Sequence, residues 1–474
     1  MLTYNLTNTG SDSLYEYLYK CIRNDILAGN IGAGEKLPSK RAFAKNLGIS
    51  VITTQSAYEQ LVAEGYIYSI PKSGYYVCDI GEGLSVTKGQ KTGKSPKSQN
   101  DILVEKQEFL ADFSSNQTER EMFPFTIWSK TIREVLSDSQ MELMMNSPCG
   151  GTMELRSAIT SYLKEFRNMD VSAHQVIVGA GTEYLYGLLI QLLGNSLCYG
   201  VENPGYSKIA NICKSHGVSY QYVGIDRQGV LVPELERKNV NVVHTSPAHH
   251  FPTGIVMPVS RRYELLSWAT KEEKRYIIED DYDSELRLTG KMIPTLQSID
   301  VSEKVIYMNT FTKTLSSTVR ISYMVLPLHL ADQFYKKLSF YSCTVSNFEQ
   351  YTLARFMANG SYEKHLNRLR NYYQKKHDFI VKKFDTSEMK SYFTIHEQDA
   401  GVHFLLEVHT KNPEEFQRQC LARRIRLAPL RRYYHGDEIE NNIFVMNYTA
   451  MGQEQMEQAL KIMTDVIKNK IPVF

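Results

Sequence analysis

The chain has 474 residues, 42% hydrophobic and 22% charged, with a formal net charge of +2. That length exceeds a single core at roughly 100–200 residues per domain, and the composition is globular, so two or three folded units are expected. The near-neutral balance excludes nucleic-acid binding by bulk charge alone, so any such site must come from local arrangement.

Seven cysteines are scattered, odd in number and form no CxxC pair. This argues against a disulfide framework or a zinc site and for a reducing compartment. The opening MLTYNLTNTG has neither the charged nor the apolar region of a secretory signal, and no run reaches the ~18 apolar residues of a membrane span. A cytoplasmic protein without membrane contact is expected.

Residues 1–80 read as a small unit with as many acids as bases. In SLYEYLYKCIRNDILAG, Leu14, Leu18, Ile22 and Leu27 mark one buried helical face that ends at Gly29. LPSKRAFAKNLGIS opens on Pro38 and Ser39 and stops at Gly48. Ser50 then caps VITTQSAYEQLVAEG, which buries Ala57, Tyr58 and Leu61 and ends at Gly65. YIYSI and YYVC flank the turn PKSG as a hairpin. Three helices followed by a hairpin form a winged helix-turn-helix, whose third helix would enter the major groove.

The run KLPSKRAFAKNLGIS…AYEQLVAEGYI…SGYYV resembles the GntR family of transcription regulators over about residues 12 to 78. The resemblance implies that Lys36, Lys40, Arg41 and Lys72 contact phosphates of double-stranded operator DNA and that Val51, Ile52, Gln55 and Ser56 face bases. The family usually has an arginine where Val51 stands and a polar residue at Ile52. Two apolar residues there can meet thymine methyls but cannot donate to guanine.

Residues 81–107 are poor in aromatics and rich in Gly, Ser, Lys and Gln, and read as a flexible linker. From 108 to 474 the pattern changes. The β-branched runs HQVIVGAG, SLCYGV, VNVVHTS, RYIIEDD, KVIYMNT and ISYMVLP alternate with helical ones, which implies an α/β body with a mostly parallel sheet. Ligands in such sheets sit at the strands' carboxyl ends. A long helix around 345 to 384 and a smaller α+β subdomain, about 345–474, are expected to follow, with AGVHFLLEV and NIFVMNY as strands.

Four elements lie at those strand ends. GAGTEYLYG is a glycine turn before a helix, suited to a phosphate through free N–H groups and the Thr182 hydroxyl. IIEDDYDSE sets four acids around a tyrosine, which could bind a metal, cap a helix or hold a protonated pyridine nitrogen. A metal is the weaker choice, because no further ligand cluster has suitable spacing. SPAHHFPTG places two adjacent histidines, which point in different directions and so make a poor chelate pair. NTFTKTLSSTVR supplies one amine, several hydroxyls and a guanidinium. Pyridoxal phosphate uses all four at once: a lysine for its aldehyde, donors for its phosphate, an acid for its ring nitrogen and an aromatic for its face. No GK[ST] or GxGxxG pattern supports a nucleotide instead.

The body resembles the fold-type I aminotransferases, and the fusion resembles the MocR subfamily of GntR regulators, through VIVGAGTEYL, ENPGY, HHFPTGIVMPVSRR, YIIEDDYDSE, VIYMNTFTKTL and RISYMVLP in that order. The resemblance implies that Lys313 forms the internal Schiff base, Asp280 pairs with the pyridine nitrogen and Tyr282 bonds the ring hydroxyl. Tyr206 would stack on the ring, while Gly181, Thr182, Thr310, Thr312 and Arg320 hold the phosphate. In LAPLRRYY, Arg432 rather than Arg431 is placed to clamp an effector carboxylate. Two departures stand out. Aminotransferases carry an asparagine just before Pro-Thr-Gly, where this chain has Phe251. The arginine that γ-aminobutyrate-responsive members carry shortly after the stacking tyrosine is Lys208 here, a point charge in place of a fork. The implied function is a PLP-dependent transcription regulator, a head-to-tail homodimer that senses an amine or amino acid through external aldimine formation. An active aminotransferase with an accessory DNA-binding unit, or a vitamin B6 regulator sensing PLP itself, are the alternatives.

Overall fold

The computed structural model describes residues 3, 4, 6, 12–79, 109–115, 119–288, 293–397, 401–436 and 442–470. The chain divides into two compact units, Met1–Glu105 and Lys106–Phe474. The expected linker, 81–107, lies outside the described residues.

In the first unit, helices Leu14–Leu27, Lys40–Leu47 and Val51–Ala63 precede an antiparallel hairpin of Ile67–Ile70 with Gly74–Val77. The ends are set locally. Ser39 and Ser50 side chains accept from the N–H groups of Ala42 and Thr53, and Gly48 closes the second helix in the left-handed region at φ 68°. The first helix buries Leu18, Tyr19, Ile22 and Ile26, while Leu14 is 37% exposed and Leu27 is partly exposed, which corrects the expected face. Leu27 lies ~140° around the helix from Ile22, whereas Ile26 lies only ~40° away. These side chains close on Phe43, Tyr58 and Leu61 from the other helices and on Ile67 and Val77 from the hairpin.

The second unit is built on an eight-stranded sheet. Its order is Val176–Gly179, Ser322–Val325, Val305–Thr310, Tyr276–Asp280, Val242–Thr245, Tyr199–Asn203, Tyr220–Asp226 and Gly229–Val230. The strands from Val305–Thr310 across to Tyr220–Asp226 pair in parallel, and Ser322–Val325 is antiparallel to both neighbours. Successive side chains feed opposite layers: Ile177 and Ile306 join one apolar cluster, Val176, Val178 and Tyr307 another. Burial on both faces is why these strands read as continuous apolar runs rather than alternating ones. Tyr220–Asp226, a polar-alternating strand near the edge, was not foreseen.

The expected single helix over 345 to 384 is two, Asn347–Ala358 and Ser361–Phe384, broken where Gly360 takes φ 73°. The shorter helix packs with Leu155 and Ile159 against the large sheet. Leu369, Tyr373, Ile380 and Phe384 of the longer one turn instead to the core of the smaller sheet, ordered Phe393–His396, His403–Val408, Ile443–Asn447, Ala428–Pro429. Ala111–Asp112 also reaches that part, pairing in parallel with Ile425–Arg426. Among the described residues no helix is long and apolar enough to cross a membrane.

Candidate cofactor and effector site

Five strands of the large sheet end at one cavity of about 440 Å³. From Val176–Gly179 the chain turns at Gly181, φ 99°, into helix Thr182–Leu193. The positive φ favours glycine at 181, and a methyl group there would force the Arg320 guanidinium to shift. Thr182 lines the cavity beside it. From Val305–Thr310 come Thr310, Thr312 and Lys313. The Thr310 and Thr312 hydroxyls lie 2.7 Å apart, and Ser322 donates to Thr310 at 2.9 Å. Arg320 takes φ 54°, an unfavourable backbone for a side-chain residue, and points its guanidinium back to the glycine turn. Donors, hydroxyls and a cation thus converge on a helix N-terminus, an arrangement suited to a phosphate.

The cavity lining also carries acids. Asp280 closes strand Tyr276–Asp280, with one carboxylate oxygen 3.4 Å from His244 Nε2 and the other, Oδ1, buried without a hydrogen-bond partner. An orphaned buried carboxylate oxygen calls for a donor, and a protonated pyridine nitrogen supplies one. Two residues on, burial followed by the charges of Asp283, Asp280 and Asp281 holds the Tyr282 phenol well above its ordinary pKa, so it stays a hydrogen-bond donor. Tyr206 lies past strand Tyr199–Asn203 and is 39% exposed. Its ring meets Phe251 edge-on at 6.0 Å. Phe251, at the position of the missing asparagine, also packs edge-on against Tyr433 and His403 and so fills the space with apolar contact.

Burial lowers the Lys313 ammonium to about 8, opposed by the Asp283 carboxylate. The sequence suggested no ligand cluster here, yet His249, Asp283 and His403 bring side-chain ligand atoms within 4.8 Å of one another. His403 comes from the smaller sheet, far along the chain, which is why spacing gave no hint of it. His249 Nδ1 lies 2.8 Å from Asp283, and the His249 and His403 rings lie tilted at 32° with centroids 4.3 Å apart. Burial first, then neighbouring positive groups, drives the His249 pKa down to about 3. Burial first raises the Asp283 carboxyl to about 7 and holds His403 well below its ordinary value, so two neutral imidazoles and a half-protonated acid stand together here. As expected for adjacent histidines, His250 turns elsewhere, to Thr253 at 2.7 Å and Glu202 at 3.3 Å.

The structure brings all nine nominated cofactor residues into one cavity lining, and Lys208 with them. Arg432 is exposed and stands outside that lining, in the turn Leu430–Tyr433, while its neighbour Arg431 pairs with Glu414 at 2.6 Å. That turn is tied to the large part: Gly205 N–H donates to the Tyr433 carbonyl, and Asn203 exchanges two hydrogen bonds with the His435 backbone. Sequence reasoning missed Glu183, which pairs with both Lys208 and Arg320. An acid in the first turn of a phosphate-facing helix was the available signal.

In the small unit Val51 and Ile52 are 42% and 77% exposed at the start of the third helix, with Gln55 and Ser56 one turn on. Gln55 currently donates to Glu59 at 2.7 Å. Lys36, Arg41 and Lys72 are exposed and Lys40 is partly so, with Lys36 and Lys40 poised over the wing rings of Tyr76 and Tyr75. Lys72 sits at the hairpin tip, φ 61°. Tyr68 and Tyr76, stacked at 5.8 Å on the hairpin, were not anticipated.

Residues 14–77 match the model of the bacterial regulatory proteins of the gntR family, and residues 110–462 that of aminotransferase class I and II. The chain is 36% identical to the HTH-type transcriptional regulator YdeL of Bacillus subtilis, across 85% of this chain and 86% of that protein. It is 28% identical to the probable rhizopine catabolism regulatory protein MocR of Rhizobium meliloti, across 94% and 92%. An archaeal alanine:glyoxylate aminotransferase shares the fold, with a TM-score of 0.68 and 22% identity over 77% of this chain and 91% of that one.

Proposed function

The chain belongs to the HTH-type transcription regulators that join a gntR DNA-binding domain to an aminotransferase class I and II domain, and from that premise we propose that it binds pyridoxal phosphate at Lys313 and reads a small amine or amino acid there. The observation that carries this reading is the cavity itself. The glycine cradle, Arg320, Lys313 and Asp280, the last with an unpartnered buried oxygen, all line it together. When bound, the cofactor supplies an aldehyde carbon for which Lys313 and a ligand amine compete.

The chain's own residues divide the work. Thr182, Thr310, Thr312 and Arg320 hold the phosphate at the helix N-terminus. Asp280 would keep a proton on the ring nitrogen, Tyr282 would donate to the ring hydroxyl, and Tyr206 would cover one ring face. With its pKa near 8, Lys313 is partly the free amine at neutral pH, the form that attacks a carbonyl. A ligand that releases Lys313 alters the charge facing Asp283, His249 and His403, the last of which belongs to the smaller sheet. The regulator works in the cytoplasm as a head-to-tail homodimer on a two-half operator, so movement of the smaller part changes the spacing of the winged helices. The clamp for an effector carboxylate is Arg432, which must move inward to reach the cavity.

One observation favours a second reading, in which the cofactor itself is the signal. Arg432 lies outside the cavity lining and Lys208 is held by Glu183, so no carboxylate clamp is assembled. Visible-absorbance titration of the loaded protein with a panel of amines and amino acids, run beside operator-binding assays, separates the readings. A spectral shift by one ligand, without keto acid, together with changed DNA binding, supports amine sensing. Release of a keto acid identifies an aminotransferase. DNA binding that responds to cofactor loading and to no amine supports the second reading.

A further inference from the structure

Glu183 occupies the second position of helix Thr182–Leu193, where a free carboxylate already complements the exposed N–H groups. Its two oxygens hold two different cations: Oε1 takes Lys208 from the first turn of helix Ser207–Ser215, and Oε2 takes Arg320 at 3.0 Å. Burial opposes ionisation of Glu183, but the Lys208 hydrogen bond, its own backbone N–H and the two cations keep its pKa below the ordinary value. All three side chains line the cavity, with a third to a half of each exposed. The phosphate subsite thus contains an anion of its own, bound to the guanidinium that a phosphate needs.

We infer that Glu183 is a built-in competitor of the cofactor phosphate, an affinity-setting residue that a phosphate must displace from Arg320 and that then remains with Lys208. This rests on the reading of the cavity as a pyridoxal phosphate site. Two consequences follow from the geometry. Cofactor affinity is held down, because a dianion enters beside a retained carboxylate and like charges at this range repel. Lys208 is also kept for Glu183 rather than for a ligand carboxylate, which makes it a partner of the competitor and not an effector clamp.

The test is titration of the full-length, cofactor-stripped protein with pyridoxal phosphate, followed through the visible chromophore formed at Lys313. Glu183→Gln is expected to tighten binding by about tenfold, ~1.4 kcal/mol. Lys208→Met, which leaves Glu183 undivided on Arg320, is expected to weaken it. Opposite signs from two neighbouring substitutions do not arise from misfolding. Pyridoxal, which lacks the phosphate, should bind wild type and Glu183→Gln alike. Equal or weaker pyridoxal phosphate binding by Glu183→Gln, or the same gain with pyridoxal, overturns the inference while leaving the cofactor site standing. Wild-type protein that binds pyridoxal phosphate no better than Lys313→Ala overturns both.

Discussion

Behind Asp280 lies a buried charge network whose disruption should be costly. Arg167 and Asp281 form an ion pair with side chains 2% and 1% exposed. Asp281 also accepts from the hydroxyls of Tyr307 at 2.7 Å and Ser284 at 2.8 Å. Substituting Arg167→Met removes the directly paired counter-ion and leaves the carboxylate in a dry interior with two hydroxyl donors. Breaking one side of such a pair costs about 3–5 kcal/mol, a large share of the 5–15 kcal/mol that usually separates folded from unfolded chains. Urea unfolding followed through the fluorescence of the buried Trp268 measures the loss. The double variant Arg167→Met with Asp281→Asn should recover a large part of it, because no unpaired charge remains. A single-variant loss below about 1 kcal/mol, or a double variant no better than the single, would refute the reasoning.

The same buried network and cavity carry further expectations. Burial, then the charge of Asp281, raises the Glu285 pKa to about 7. A raised carboxyl binds more protons folded than unfolded, so its contribution to stability falls as pH rises from about 4.5 to 7 and stays low above that. Glu285→Gln should therefore raise the thermal midpoint at pH 8 relative to wild type and not at pH 4.5. Because Lys313 is lowered to about 8, the rate at which it captures pyridoxal phosphate should rise through pH 8 and level off well below 10; a rate still climbing through pH 10 would contradict its burial. Ile52→Ala should weaken operator binding by on the order of 1 kcal/mol and relax preference at one thymine, read by gel shift against base-substituted sites. A uniform loss across all sequences would instead place Ile52 against the backbone.

Much of this was legible because the chemistry follows local order. The apolar strands ending at Gly179, Asp280 and Thr310 are buried on both faces, so they stand out as continuous runs, and the residues that follow each strand carry the site. The turn signals at Ser39, Gly48 and Ser50 act within four residues and read equally well. What escaped was set by packing. Ile26 rather than Leu27 faces the small core because of a helical phase that several apolar neighbours blur. The break at Gly360 carries the turn signal Asn359-Gly360-Ser361, which was outweighed by the helical periodicity running before and after it. His403 joins His249 and Asp283 only once the smaller sheet packs onto the larger. Glu183 looked like a helix-start acid, and its hold on Lys208 and Arg320 needs three separate strand ends in place.

Borohydride reduction of the cofactor-loaded protein, followed by peptide mass spectrometry, tests the role of Lys313 most directly. A phosphopyridoxyl mass on the peptide bearing Lys313, absent from the Lys313→Ala variant, is the expected result. The same mass on another lysine, or none on any, would contradict it.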